Sequence, residues 1–227
     1  MQHLEKAEGG TRVLVHLGDE VSRRYAAAVA AVVPAVENAL TPVAVANRAL
    51  STPTGFRLEP WRSARARLRR AVATCAAGPL TGAFLGDVRD CYGSMTPDAV
   101  ASALVRSGAS DTGVLRIVEI LRGFEERGVR GLPVGPPPSA VLANAVLASV
   151  DRALAEAAEG PVLRWVDDVI VFTTGPRGAR RAAASFERSL GHVGLVPHPA
   201  KCRIVDVSSS PIWSARYGST TGCSGVA

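Results

Sequence analysis

Asp167 and Asp168 stand side by side in Arg164-Trp165-Val166-Asp167-Asp168-Val169-Ile170-Val171-Phe172, a run otherwise dominated by apolar and β-branched residues. Val162 to Val166 and Val169 to Thr173 read as two short strands, with the acidic pair at the turn between them. Neighbouring side chains diverge along a strand, but a tight turn can aim both at one point. Two carboxylates beside an apolar sheet need a cation or a proton to offset their repulsion. An isolated Asp-Asp is more often an exposed turn, so the pair points to chemistry only if other residues join it. Asp87 is the candidate third member. It follows the apolar run Leu80 to Gly86, read as a buried strand, at the C-terminal end where open α/β sheets bind ligands. Alone, such an Asp is more often a cap. Three converging carboxylates would suit two hard divalent cations about 3.5–4 Å apart, the apparatus for in-line attack of a hydroxyl on an α-phosphate.

The rest of the chain must position these groups. Residues 1–20 suggest no function. Val21 to Leu40 reads as an Ala/Val helix interrupted or kinked at Pro34. Residues 41–59, with Pro42, Pro53 and Gly55, read as loop with a short helical piece near Val43 to Leu50. Trp61 to Ala77 reads as a helix with Arg62, Arg65 and Arg69 at i, i+3 and i+7, and Arg67 and Arg70 alongside. This basic face is equally a solvated surface or a contact for nucleic-acid phosphates. Gly78-Pro79 ends it.

Thr96-Pro97-Asp98 supplies a cap, a first-turn proline and an acidic residue for a helix to about Ser107. A second helix runs from Asp111 to about Arg127. Gly131-Leu132-Pro133-Val134-Gly135-Pro136-Pro137-Pro138-Ser139 is too dense in Gly and Pro for regular structure. It is either a rigid connector or a loop whose glycines admit close approach by another molecule. Without a Walker lysine it is no P-loop. A long helix, Ala140 to Ala158, follows. After the acidic hairpin come a turn at Gly175-Pro176-Arg177-Gly178, a basic amphipathic helix from Ala179 to Val193, and a last strand, Cys202 to Val207. Residues 208–227, rich in Ser, Gly and Thr, are expected to be a poorly ordered tail. The element order from residue 80 is β-α-β-β-α-β, the ferredoxin-like pattern, in which the first strand lies beside the central hairpin. The expected class is α+β, with Asp87 brought to Asp167 and Asp168.

Composition sets bounds. The chain has 227 residues, 47% of them hydrophobic, enough for a sizeable core built mainly from Ala, Val and Leu. The formal charge of +6 is carried largely by Arg, which makes nucleic acid the leading partner class. Cys75, Cys91, Cys202 and Cys223 show no CxxC spacing, so neither a zinc site nor a disulfide framework is indicated, and a cytoplasmic setting fits. No secretory signal opens the chain, and Ala26 to Val36 is too short to span a bilayer, so no membrane is expected as a partner.

Four segments in order resemble the palm of a bacterial reverse transcriptase (RNA-directed DNA polymerase) of the group II intron, retron or defence-associated type. Asp87-Val88-Arg89-Asp90-Cys91-Tyr92-Gly93-Ser94-Met95 resembles the first catalytic motif. The loop 131–139 with Leu142-Ala143-Asn144 resembles the template- and nucleotide-contacting segment. Arg164 to Asp168 resembles the (Tyr/Phe)-x-Asp-Asp hairpin, and Gly194-Leu195 through Lys201 resembles the fourth, lysine-bearing motif. Together they cover roughly residues 78–206. Trp165 stands for the usual Tyr or Phe, Val134 for a common Gln, and His198 for a usual Asn.

The resemblance implies a helical N-terminal or partial fingers region (1–77), a palm (78–207) and the tail. It implies two Mg²⁺ ions, with Mn²⁺ as a substitute, held by Asp87, Asp167 and Asp168 and by the Val88 carbonyl. Asp90 and Cys91 would approach the triphosphate through their backbone. Tyr92 would sit under the sugar as a gate against a 2′-OH, and Gly135 would support the templating pair. Lys201 would neutralise or protonate the leaving pyrophosphate. Arg62, Arg65, Arg69, Pro133 and Ser139 are candidate nucleic-acid contacts. Expected partners are an RNA template, a DNA or RNA primer and dNTPs. No thumb-like region follows the fourth motif, so a separate thumb-bearing or accessory protein is a further expected partner. Two other readings keep the palm: untemplated DNA synthesis of the phage-defence type, and an inactive palm that binds RNA or protein.

Overall fold

Pro34 and Gly55 decide how the N-terminal part is cut into elements. The computed structural model describes residues 2–5 and 11–207, so the expected tail lies outside it. β1 (Gln2–Glu5) pairs antiparallel with β2 (Thr11–Leu14). The interruption expected at Pro34 in the Val21 to Leu40 helix falls just before it, between α1 (Asp19–Ala30) and α2 (Val33–Ala39). Pro34 falls in the first turn of α2, where its missing N–H breaks no helical bond.

Residues 41–59 do not carry the expected helical piece. β3 (Ala49–Thr52) and β4 (Gly55–Leu58) form a hairpin closed by Pro53-Thr54, with Gly55 at φ +147°. Ahead of it, Val43 to Val45 runs extended along the main sheet. The Arg164 N–H donates to the Val43 carbonyl (2.7 Å) and the Val45 N–H to the Arg164 carbonyl (3.0 Å). These residues cannot be helical, because their backbone groups are spent on a strand. α3 (Trp61–Ala76) follows as expected.

The main sheet holds β5 (Gly82–Gly86), β6 (Val162–Trp165), β7 (Asp168–Thr173) and β8 (Arg203–Asp206) in the order β6-β7-β5-β8, all neighbours antiparallel. This is the ferredoxin-like arrangement within a mixed α+β fold. Between β5 and β6 come α4 (Pro97–Arg106), α5 (Asp111–Glu125) and α6 (Pro137–Ala157); α7 (Pro176–His192) joins β7 to β8. Two helices start earlier than expected because Pro137 and Pro176 are tolerated in a first turn.

Side chains alternate across the strands and build two cores. Phe84, Val169 and Val171 face Val146, Val150 and Leu154 of α6 and Phe186 and Leu190 of α7. Ala83, Leu85, Ile170 and Phe172 face Leu68 and Val72 of α3. α6 is buried on nearly every side, which explains its run of Ala, Val and Leu. No helix of the described residues is long and apolar enough to cross a membrane.

α7 approaches β5 closely at one point. The Phe84 and Phe186 rings are 5.5 Å apart, and a Cβ on Gly86 would lie 2.9 Å from Phe186 Cε1 and 3.0 Å from Phe84 Cε1. Gly86→Ala should therefore overpack this contact and destabilise the fold by about 1–3 kcal/mol. Gly191→Ala, on an open face of α7, should stabilise by about 0.5–1 kcal/mol. Urea denaturation midpoints of the two variants check the contrast.

Candidate active site

β5 is buried along its whole length and delivers Asp87, 5% exposed, at its end. Its register with β7 runs from Gly82↔Thr173 to Gly86↔Val169, so one further step sets Asp87 beside Asp168. Asp168 is itself paired with Trp165, which leaves Val166-Asp167 as a two-residue turn. Asp167 and Asp168 are half-buried. Cys91 lies within this group. Burial pushes its thiol well above the ordinary range, and the charges of Asp167, Asp87 and Asp90 push in the same direction. Cys91 is thus within electrostatic reach of Asp87, Asp90 and Asp167.

The turn is held from below by Arg164, which has 1% of its surface exposed. Its Nε and Nη2 donate to the two oxygens of Asp151 on α6 at 2.7 and 2.8 Å. Its Nη1 donates to Asn144 Oδ1 (2.9 Å) and to the Val166 carbonyl (2.8 Å). Asn144 Nδ2 in turn donates to the carbonyls of Ala46 and Asn47, both at 3.1 Å. Val166 has φ +58°, a left-handed conformation that is costly for a β-branched residue. The bond to its carbonyl fixes that conformation. Arg164 was visible in the sequence only as the start of the hairpin. The available signal was three polar residues, Asn144, Asp151 and Arg164, placed in stretches otherwise built for the core.

A second loop wraps Asp87. The His198 N–H donates to the Asp87 carbonyl (2.7 Å) and the Arg89 N–H to the Val196 carbonyl (3.0 Å), an antiparallel bridge of Val88 with Pro197. Neither bond uses the Val88 carbonyl. The His198 carbonyl accepts from the N–H groups of Lys201 and Cys202, and this turn places Lys201 Nζ 3.1 Å from Asp87 Oδ2. His198 Nδ1 is buried without a hydrogen-bond partner.

The Gly/Pro loop packs against the first motif. The Leu132 N–H donates to the Tyr92 carbonyl (2.9 Å), and a Cβ on Gly131 (φ +64°) would lie 2.4 Å from that oxygen. Asp90, at φ +45°, is paired with Arg130, and both are exposed. Tyr92 is half-buried and Gly135 exposed. Pro133 and Ser139, expected to touch nucleic acid, lie inside. Ser139 has no exposed surface, and its hydroxyl is 3.1 Å from that of Tyr25, which is equally buried. The hydroxyl of Ser139 serves to seat the start of α6 on α1. Of the basic face on α3, Arg62 is exposed and Arg65 and Arg69 are half-buried.

Among the described residues no group of three or more His, Cys, Asp or Glu side chains is arranged to hold a metal ion. The donors at this edge are nonetheless all hard carboxylate oxygens, the class that Mg²⁺ takes. One of them, Asp87, already faces a cation in the Lys201 ammonium. The donor chemistry fits a divalent ion.

A family model described as reverse transcriptase (RNA-dependent DNA polymerase) matches residues 5–214. No curated protein matches the chain.

Arg164→Met should destabilise the fold by roughly 3–5 kcal/mol, because it leaves the Asp151 carboxylate buried and unpaired. Adding Asp151→Leu should recover most of that loss. A double-mutant cycle by denaturant unfolding measures both.

Proposed function

The chain belongs to the reverse transcriptase family, at family level a nucleotidyltransferase acting on a nucleic-acid template, a primer and nucleotides, and from that premise we propose that it is an RNA-directed DNA polymerase core that extends a primer 3′-OH with dNTPs by a two-metal mechanism. The observation that carries this reading is the β5–β7 register, which brings Asp87 to Asp168 at one end of the sheet. Residues 78–207 are then the palm, residues 1–77 a partial fingers region, and a thumb-bearing or accessory protein the natural helper for holding primer–template.

Asp87, Asp167 and Asp168 would hold two Mg²⁺ ions, or Mn²⁺, with the Val88 carbonyl as a further donor. Bound there, the ions supply activation of the primer hydroxyl and neutralise charge on the transferred phosphoryl group. The 3′-oxygen forms a bond to the α-phosphorus as the bond to the bridging oxygen breaks, and pyrophosphate leaves. Lys201, adjacent to Asp87, gives a proton or its charge to that leaving group. The backbone of Asp90 and Cys91 flanks the triphosphate. Tyr92 supports the sugar and disfavours a 2′-OH. Gly135, exposed and at φ +119°, lets the loop approach the templating pair.

Primer extension with labelled dNTPs, Mg²⁺ and an annealed RNA template tests this. The wild-type protein should synthesise DNA that copies the template, and Asp87→Ala, Asp167→Ala and Asp168→Ala should fall to background. Lys201→Ala should slow incorporation by roughly 10²-fold or more without loss of template binding. Incorporation that ignores the template would assign untemplated synthesis instead. RNA binding with no incorporation, even with an accessory protein added, would leave an inactive palm.

A further inference from the structure

α3 crosses the face of the sheet opposite α6 and α7, and its outer side carries groups that the chemistry above does not use. Ala64, Leu68 and Val72 are buried beneath it. Trp61 keeps 65% of its surface in solvent. The Arg62 guanidinium lies 5.8 Å from the Trp61 ring centroid. Arg65, one turn further on, lies 5.2 Å from the centroid of Trp165. Trp165 is the residue paired with Asp168 at the end of the acidic hairpin. A continuous line therefore leads from the carboxylates through Trp165 and Arg65 to Arg62 and Trp61. Arg67, on the neighbouring side of the helix, is committed elsewhere, to Glu59 and to the Val45 carbonyl.

Flat aromatic faces interleaved with guanidinium groups are what a single nucleic-acid strand needs, since every base has a face to stack and every step has a phosphate to pair. One turn of α3 advances about 5.4 Å, between one and two nucleotide steps of about 3.4 Å each. An acidic peptide would match the charge but leave the exposed indole without a partner.

We propose that Trp61, Arg62, Arg65 and Trp165 form a track for an unpaired stretch of the nucleic-acid template, with Trp61 stacked on a base and Arg62 and Arg65 on phosphates. This rests on the polymerase reading for the identity of the strand, but not for the existence of the surface.

The test is the fluorescence anisotropy of a dye-labelled single-stranded oligonucleotide titrated with the full chain in EDTA, so that no reaction contributes. Trp61→Ala should weaken binding roughly tenfold, and Trp61→Phe, which keeps an aromatic face, should recover most of it. Arg62→Ala and Arg65→Ala should each lower the slope of log K against log salt by about 0.7. Arg116→Ala, an exposed arginine on α5, should leave the slope unchanged. Trp61 is exposed, so an unchanged denaturation midpoint is expected for its variants. Wild-type affinity in Trp61→Ala, or an equal loss in Trp61→Phe, would overturn the stacking role, and an unchanged slope in both arginine variants would overturn the phosphate contacts. Primer extension on the same variants separates the two proposals. A wild-type enzyme that extends primers while Trp61→Ala binds and extends equally well removes the track and keeps the reaction. Binding that follows the expected pattern in a protein that incorporates nothing keeps the strand-binding surface and removes the reaction.

Discussion

A guanidinium with almost no access to water is tolerable only if every side of it is answered, and Arg164 is answered on every side. Its fork matches the two oxygens of Asp151, and its remaining donor is divided between Asn144 and the Val166 carbonyl. A buried ion pair of this kind is weak evidence for stability, because desolvation offsets most of the attraction. Its effect is geometric. An apolar residue in the same place could fill the volume but could not hold a left-handed Val166. Through its backbone the same residue binds Val43 and Val45, so the sheet, the longest helix, the N-terminal segment and the acidic turn share a single joint.

The two carboxylates that the register brings together are supported differently. Asp168 belongs to a ladder and moves only with the sheet. Asp87 lies beyond the ladder, held by the 196–202 turn through its own carbonyl and through Lys201. Its buried charge is offset by an ammonium supplied from the same turn. The Gly/Pro loop adds the third support, with Gly131 seated against Tyr92 where any side chain would collide with backbone. Two loops distant in sequence therefore meet around one short segment, 87–93.

What the sequence made legible follows from how local each cause is. The β-branched runs at 162–166 and 169–173, the proline-capped helices and the order of elements are local, and they led to the sheet and to the meeting of Asp87 with Asp168. The β3–β4 hairpin was hidden because its strands are half-exposed and its turn, Pro53-Thr54, with the Gly55 that follows, reads as loop. Val43 to Val45 looked helical because the strand that claims its backbone lies more than a hundred residues away. Ser139 looked like a contact residue because its neighbours are loop-like, whereas its burial depends on Tyr25, from α1. Arg164 carries no local mark of its partners at all.

The bridge of Ala44 with Arg164 has a further consequence for how this sheet behaves in a crowded solution. β6 is the outermost strand on its side, and an uncovered strand rich in Val and Leu is a template for a second chain to add to. Residues 43–45 occupy that position at Arg164, taking up both of its outward backbone groups. On the opposite side, β8 presents Arg203 and Asp206 to solvent, charges that discourage the same event. Resistance to edge-to-edge aggregation and the positioning of the acidic turn thus depend on the same few backbone bonds, so a substitution that peels residues 43–45 away would expose a sticky edge as it loosens the site.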